Sequence, residues 1–123
     1  MESVTVQDVI RVRGVDHPIR LPTSLTVALE VYNYAALMLN NGIGWPRGAA
    51  VLVATCCPSL LPGWKWSPRQ SDVAAEEALN ALLSAGVSPS ALLNIIRGAE
   101  LLKRLGGLLP VFEEEASEAV KNS

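Results

Sequence analysis

Histidine occurs once in this 123-residue chain, phenylalanine once and cysteine twice, and charged residues make up only 18% of it. Each scarcity excludes something. His17 lies before Pro18 in a stretch of turn residues, and the sequence places no serine or cysteine beside it. It reads as a surface turn residue and not as a catalytic base. Cys56 and Cys57 are adjacent in a run that reads as helix, where neighbouring side chains diverge and a vicinal disulfide would strain the backbone. They read as two buried free thiols, which suits a reducing cytosol. The pair has no C-x-x-C spacing and lacks the further ligands a zinc site needs. No metal and no other cofactor is expected.

A basic excess is also missing. The formal net charge is −2, which supplies no electrostatic ground for a nucleic-acid partner. No run reaches the ~20 unbroken apolar residues of a membrane span. The longest, "GAAVLVATCCPSLLPGW", is interrupted by Pro58 and Pro62. No basic-then-apolar signal segment opens the chain, so a soluble protein away from membranes is expected. The G-x-G of "NNGIGWPRG" follows a helix instead of a strand and reads as a connector. Glu76, Glu77 and Glu113 to Glu115 fall in first-turn or tail positions and read as solvated faces. Enzymatic activity is not expected.

What the chain has is apolar residues, 50% of the total, arranged with clear periods. Val4, Val6, Ile10, Val12, Ile19 and Leu21 alternate around "RGVDHP", which predicts a β-hairpin with Gly14 and Asp16 in its turn. Such a hairpin is marginal in water unless it lies on something. A helix follows, with Thr23 or Ser24 as N-cap and Asn41-Gly42 as its stop. Leu25, Ala28, Leu29, Tyr32, Ala35, Ala36 and Leu39 share one face of it, while Val27, Val31, Tyr34, Leu37 and Met38 cover much of the other.

Pro46 suits the first turn of a second helix running to Pro58, almost without polar residues and therefore buried. A third helix opens on a Ser71/Asp72 cap and closes on Gly86. A fourth starts at Ser88-Pro89 and continues through "SALLNIIRGAELLKRLGG", with Leu92, Ile95, Ile96, Ala99 and Leu102 as its stripe. Leu101 and Leu105 then fall near the opposite side, beside Asn94. Glu100 and Arg104 form an i,i+4 pair on this helix. The fold class is mainly α (α+β): an N-terminal β-hairpin followed by four α-helices and a short acidic C-terminal helix or tail. Residues 1–110 read as a single helical domain and residues 111–123 as the acidic tail.

The third and fourth helices, joined by a short glycine-containing turn, have the outline of a DNA-reading helix-turn-helix. The start of the second of them, Ser90 to Leu93, offers few base-reading groups, so a plain helical hairpin is preferred. Between the second and third helices, "LLPGWKWSPRQS" sets Trp64 and Trp66 one residue apart among prolines. It reads first as a rigid corner and second as a docking point.

Two helices apolar on nearly every side, and a third with leucines on its back, exceed what one small domain hides from water. Large exposed apolar patches mark binding surfaces. The expectation is therefore a protein-binding protein, self-associating or holding an apolar client helix. Leu37, Met38, Leu101 and Leu105 are its candidate contact positions, with Trp64 and Trp66 beside them.

The order of elements resembles the tail assembly chaperones of long-tailed bacteriophages and gene transfer agents. The likeness lies in "VIRVRGVDHPIRLPTSLTVALEVY", in the apolar "GAAVLVATCC" and in "ALNALLSAGVSPSALLNIIRGAELLKRL". It implies a non-enzymatic protein of the host bacterial cytoplasm that coats the apolar, helical tape measure protein and helps recruit tail tube subunits. A homo-oligomer fits that role. The rival readings are a structural virion protein of the head–tail joining region and a small helix-turn-helix DNA-binding regulator.

Overall fold

The computed structural model describes residues 9–108. Val4 and Val6 of the expected first strand, and the acidic segment 111–123, lie outside them. Two short strands open the described chain, β1 (Val9–Val12) and β2 (Val15–Pro18). They pair antiparallel with Ile10 opposite His17 and Val12 opposite Val15. The turn between them is tighter than the sequence suggests. It consists of Arg13 and Gly14 alone, both at positive φ, 53° and 78°. That is the type I′ geometry whose twist matches a hairpin's strands. Asp16 therefore belongs to β2, where it accepts a hydrogen bond from Nε of Arg11 across the ladder at 2.8 Å.

Five helices follow: α1 (Leu25–Leu39), α2 (Trp45–Cys56), α3 (Ser71–Ser84), α4 (Pro89–Ala99) and α5 (Leu101–Gly106). Ser24 caps α1, its hydroxyl accepting from the backbone N–H of Val27. Ser88 caps α4 in the same way through Ala91, with Pro89 in the first turn. At α3 the structure differs from expectation. A 3-10 turn at Pro68–Gln70 runs straight into the helix, Ser71 is already helical, and no side chain caps the start. At its far end Gly86, with φ 94°, lets the N–H of Val87 reach the carbonyl of Leu82 at 2.9 Å. This is the Schellman closure that frees the chain to turn.

Helix α2 is the axis of the fold. Every residue from Gly48 to Ala54 is buried, and α1, α3, α4 and α5 all pack against it. Its first turns lie close to α1. A Cβ on Gly48 would stand 2.9 Å from Cβ of Met38 and 3.1 Å from the carbonyl oxygen of Ala35, so only glycine permits this approach. The core is assembled from Ala28, Val31 and Ala35 of α1, Ala49 to Ala54 and Cys56 of α2, Ala75, Ala78 and Leu82 of α3, Leu92 and Ile96 of α4, and Leu101 and Leu105 of α5. Val31, grouped by periodicity with the outer face of α1, faces inward and is fully buried.

The helix expected from Ser88 through Gly107 is broken. Glu100 adopts the left-handed conformation, φ 52° and ψ 46°, and ends α4. The break changes where two leucines go. In one continuous helix Leu101 and Leu105 lie seven and eleven residues beyond the exposed Asn94 and share its outward face. The left-handed residue resets the helical phase, and both leucines turn into the core with no exposed surface. Near the break, Glu100 pairs with Lys103 at 3.9 Å, and Nε of Arg104 donates to the carbonyl of Ala99 at 2.9 Å.

Candidate protein-binding surface

The hairpin rests on the C-terminal end of α2 through a set of polar contacts. The backbone N–H of Arg20 donates to the carbonyl of Cys56 at 2.8 Å. Sγ of Cys57 lies 3.5 Å from the carbonyl of Pro18, and Nδ1 of His17 lies 2.9 Å from Oγ of Ser59. His17 is thus a half-buried strand residue and not a free turn residue. Its serine partner comes from 42 residues away, a distance over which sequence spacing carries no signal. Among the described residues no carboxylate bonds to this imidazole, so the pair lacks the orienting group of a nucleophilic triad. It serves as a suture between strand and helix.

Both cysteines are buried and free. Burial pushes the Cys56 thiol up to about 12, helped by the neighbouring Cys57, and raises Cys57 as well. Thiols held so far from the thiolate are poor nucleophiles and poor metal ligands. Among the described residues no group of three or more histidines, cysteines or carboxylates is placed to hold a metal ion. No single described helix is long and apolar enough to cross a membrane.

The tryptophan corner is fastened from within. The indole N–H of Trp64 donates to the carbonyl of Ala74 in α3 at 2.9 Å. That of Trp66 donates to Oε1 of Glu30 in α1 at 3.1 Å, and its ring leans on Tyr34 with centroids 5.5 Å apart and planes at 56°. Tyr34 in turn donates its hydroxyl to Oδ1 of Asp72 at 3.0 Å. Burial, the hydrogen bond and the Asp72 charge push the Tyr34 hydroxyl up to about 12. Both indole donors are satisfied inside the molecule, and both rings are half-buried against the core. The corner clasps α1 to α3 and covers the middle of α1's outer face.

Beyond that clasp the outer face of α1 is open. Leu37 is 68% exposed, and Ile43, in the turn between α1 and α2, is 94% exposed. Between them Met38 is half-buried, folded back against Gly44 and Gly48 of α2. Of the six candidate contact residues, then, Leu37 stands free, while Met38, Trp64 and Trp66 are shared between core and surface. Leu101 and Leu105 are corrected: both are interior, because of the break at Glu100. Ile43 was missed. Its signal lay in "NNGIGWPRG", where an isoleucine flanked by glycines in a short helix–helix turn has no helical face on which to be buried. Leu25, Val73 and Leu83 are also exposed, by 39%, 50% and 42%.

No protein-family model, no curated protein and no solved structure matches this chain.

Proposed function

We propose that this chain is a non-enzymatic tail assembly chaperone that holds an apolar helix of a tape measure protein and helps bring tail tube subunits to it in the cytoplasm of the host bacterium. The observation that carries the reading is the free apolar end of α1, Leu37 and Ile43, standing beside a helix whose inner face is already fully packed. A client helix laid across this end buries two large side chains that the fold leaves in water, at about 1.5–3 kcal/mol each. Such a client is itself insoluble until covered, which is the reason a holding protein is needed.

The test is co-purification and affinity measurement with a tape measure protein encoded beside this gene. Binding is expected to weaken by at least about tenfold in a Leu37→Ser, Ile43→Ser double variant, while helical content and melting temperature stay as in the parent. An unchanged affinity removes the reading.

A second reading has one observation in its favour. The helix pair Pro68–Ser84 and Pro89–Ala99 bends by 102°, within the range of a DNA-reading helix-turn-helix. Against it, Arg97 is the one basic residue of α4, and β1 lies alongside that helix. It predicts salt-dependent duplex binding that an Arg97→Ala variant weakens.

A further inference from the structure

Helix α5 is six residues long and is joined to α4 by Glu100 alone. A helix of that length does not stand by itself in water, so it is held by what it packs on. Leu101 and Leu105, one turn apart, are fully buried where α5 meets α1 and α2. Gly106 lies against the ring of Tyr32 on α1; a Cβ at this glycine would stand 2.8 Å from Cε1 of that ring. The seat that α1 and α2 provide therefore accepts a short apolar helix carrying two leucines four residues apart.

The link is the least settled part of this arrangement. Glu100 holds the left-handed conformation, φ 52° and ψ 46°, which costs free energy for a residue with a side chain. No side chain caps the start of α5. On the other side of the break, the Ala99 carbonyl accepts from Nε of Arg104, a substitute for the backbone donor of an unbroken helix. In one continuous helix the N–H groups of Leu101, Leu102 and Lys103 meet the carbonyls of Arg97, Gly98 and Ala99. Glu100 then relaxes to the right-handed form, and Arg104, released from Ala99, lies four residues beyond it as an ion-pair partner. Local preference favours a straight helix from Pro89 to Gly106, and the seating of the two leucines opposes it.

We infer that two copies of this chain satisfy both demands by exchanging α5. In the exchanged dimer, α4 and α5 of each copy run on as one helix and carry Leu101 and Leu105 onto α1 and α2 of the other copy. Every contact that α5 makes with α1 and α2 in the single chain is remade between copies, so burial of the leucines is unchanged. What separates the two states is the relaxation of two left-handed residues and the gain of helix bonds, set against the freedom lost on association. A one-residue link under strain is a hinge from which such exchange arises. The inference does not rest on the proposed function, and its test uses no client.

Size exclusion with light scattering tests it, on the full chain equilibrated over about a hundredfold range of concentration. The parent is expected to pass from monomer to dimer as concentration rises. Glu100→Gly, which accepts the left-handed conformation and resists the helical one, is expected to raise the dimer dissociation constant at least about hundredfold. Glu100→Val, whose branched side chain is strongly disfavoured in the left-handed region, is expected to lower it by about fivefold or more. The parent and the glycine variant decide the matter by themselves if the valine variant does not fold. In a dimer mixed from isotopically labelled and unlabelled copies, NMR should show a nuclear Overhauser contact between Gly106 of one copy and the Tyr32 ring of the other. A parent that stays monomeric throughout, or a dimer as strong in Glu100→Gly as in the parent, overturns the inference. So does a dimer in which the contact of Gly106 with Tyr32 remains within one copy.

Discussion

Two leucine-bearing regions of this molecule look alike along the chain and end in opposite places. At the C-terminal end of α1, Leu37 lies on the side away from Ala28, Val31 and Ala35 and stays 68% exposed. At α5, Leu101 and Leu105 lie on what a straight helix makes the outward side, yet both are fully buried. Helix α1 is continuous from Leu25 to Leu39, so its phase carries Leu37 outward unopposed. Between α4 and α5 a single left-handed residue, Glu100, rotates the phase and aims the leucines at α1 and α2. Apolar character by itself did not decide burial. Continuity of the helix did.

The largest expected effect breaks the comparison from the buried side. Leu101→Ala or Leu105→Ala should destabilise the fold by about 2–5 kcal/mol, read as a lowered urea midpoint. A loss below about 0.5 kcal/mol would place these leucines at the surface after all. Gly48→Ala comes next, at about 1–3 kcal/mol, because the new methyl forces α1 away from α2 and with it the base on which Leu37 stands.

Tyr34→Phe removes the hydroxyl bond to Asp72 and should cost about 1 kcal/mol at neutral pH. It should also change the alkaline behaviour. The folded state keeps the Tyr34 proton up to about 12, whereas the unfolded chain releases it near the ordinary value of 10.0. Stability therefore falls as pH rises through that window, and the variant should lose part of this fall while the Cys56 part remains.

Glu100→Gly should stabilise by about 0.5–1 kcal/mol, since glycine accepts positive φ without the steric cost of a side chain. In a continuous helix the same change would destabilise by about as much, so the sign of the effect separates the two arrangements. Smallest of all, Leu37→Ser should shift stability by no more than about 0.5 kcal/mol, because the side chain it removes is 68% exposed.

Much of the fold was legible beforehand for local reasons. Ser24 and Ser88 with Pro89 announce helix starts because each satisfies or dispenses with a first-turn N–H. The unbroken apolar run from Gly48 to Ala54 announces a central helix because no side of it tolerates water. Ser71 misled, since the preceding prolines start a 3-10 turn that leaves no role for a side-chain cap. Of the candidate surface, Leu37 was legible from periodicity, whereas Ile43 needed the observation that a glycine-bounded turn has no inner face. The contacts of His17 with Ser59 and of Trp66 with Glu30 were not legible, because they join residues 42 and 36 apart through the packing of separate elements.

By itself, then, the amino-acid order determined the element types, most helix limits, the burial of α2 and the two free thiols, all of which follow from short-range sterics and the burial of apolar side chains. Only the tertiary structure decided that Glu100 turns left-handed, that Leu101 and Leu105 point inward and that the tryptophans spend their N–H groups on Ala74 and Glu30. A left-handed residue costs free energy locally and persists only where packing repays it. That repayment is a sum over distant neighbours, which no stretch of sequence contains.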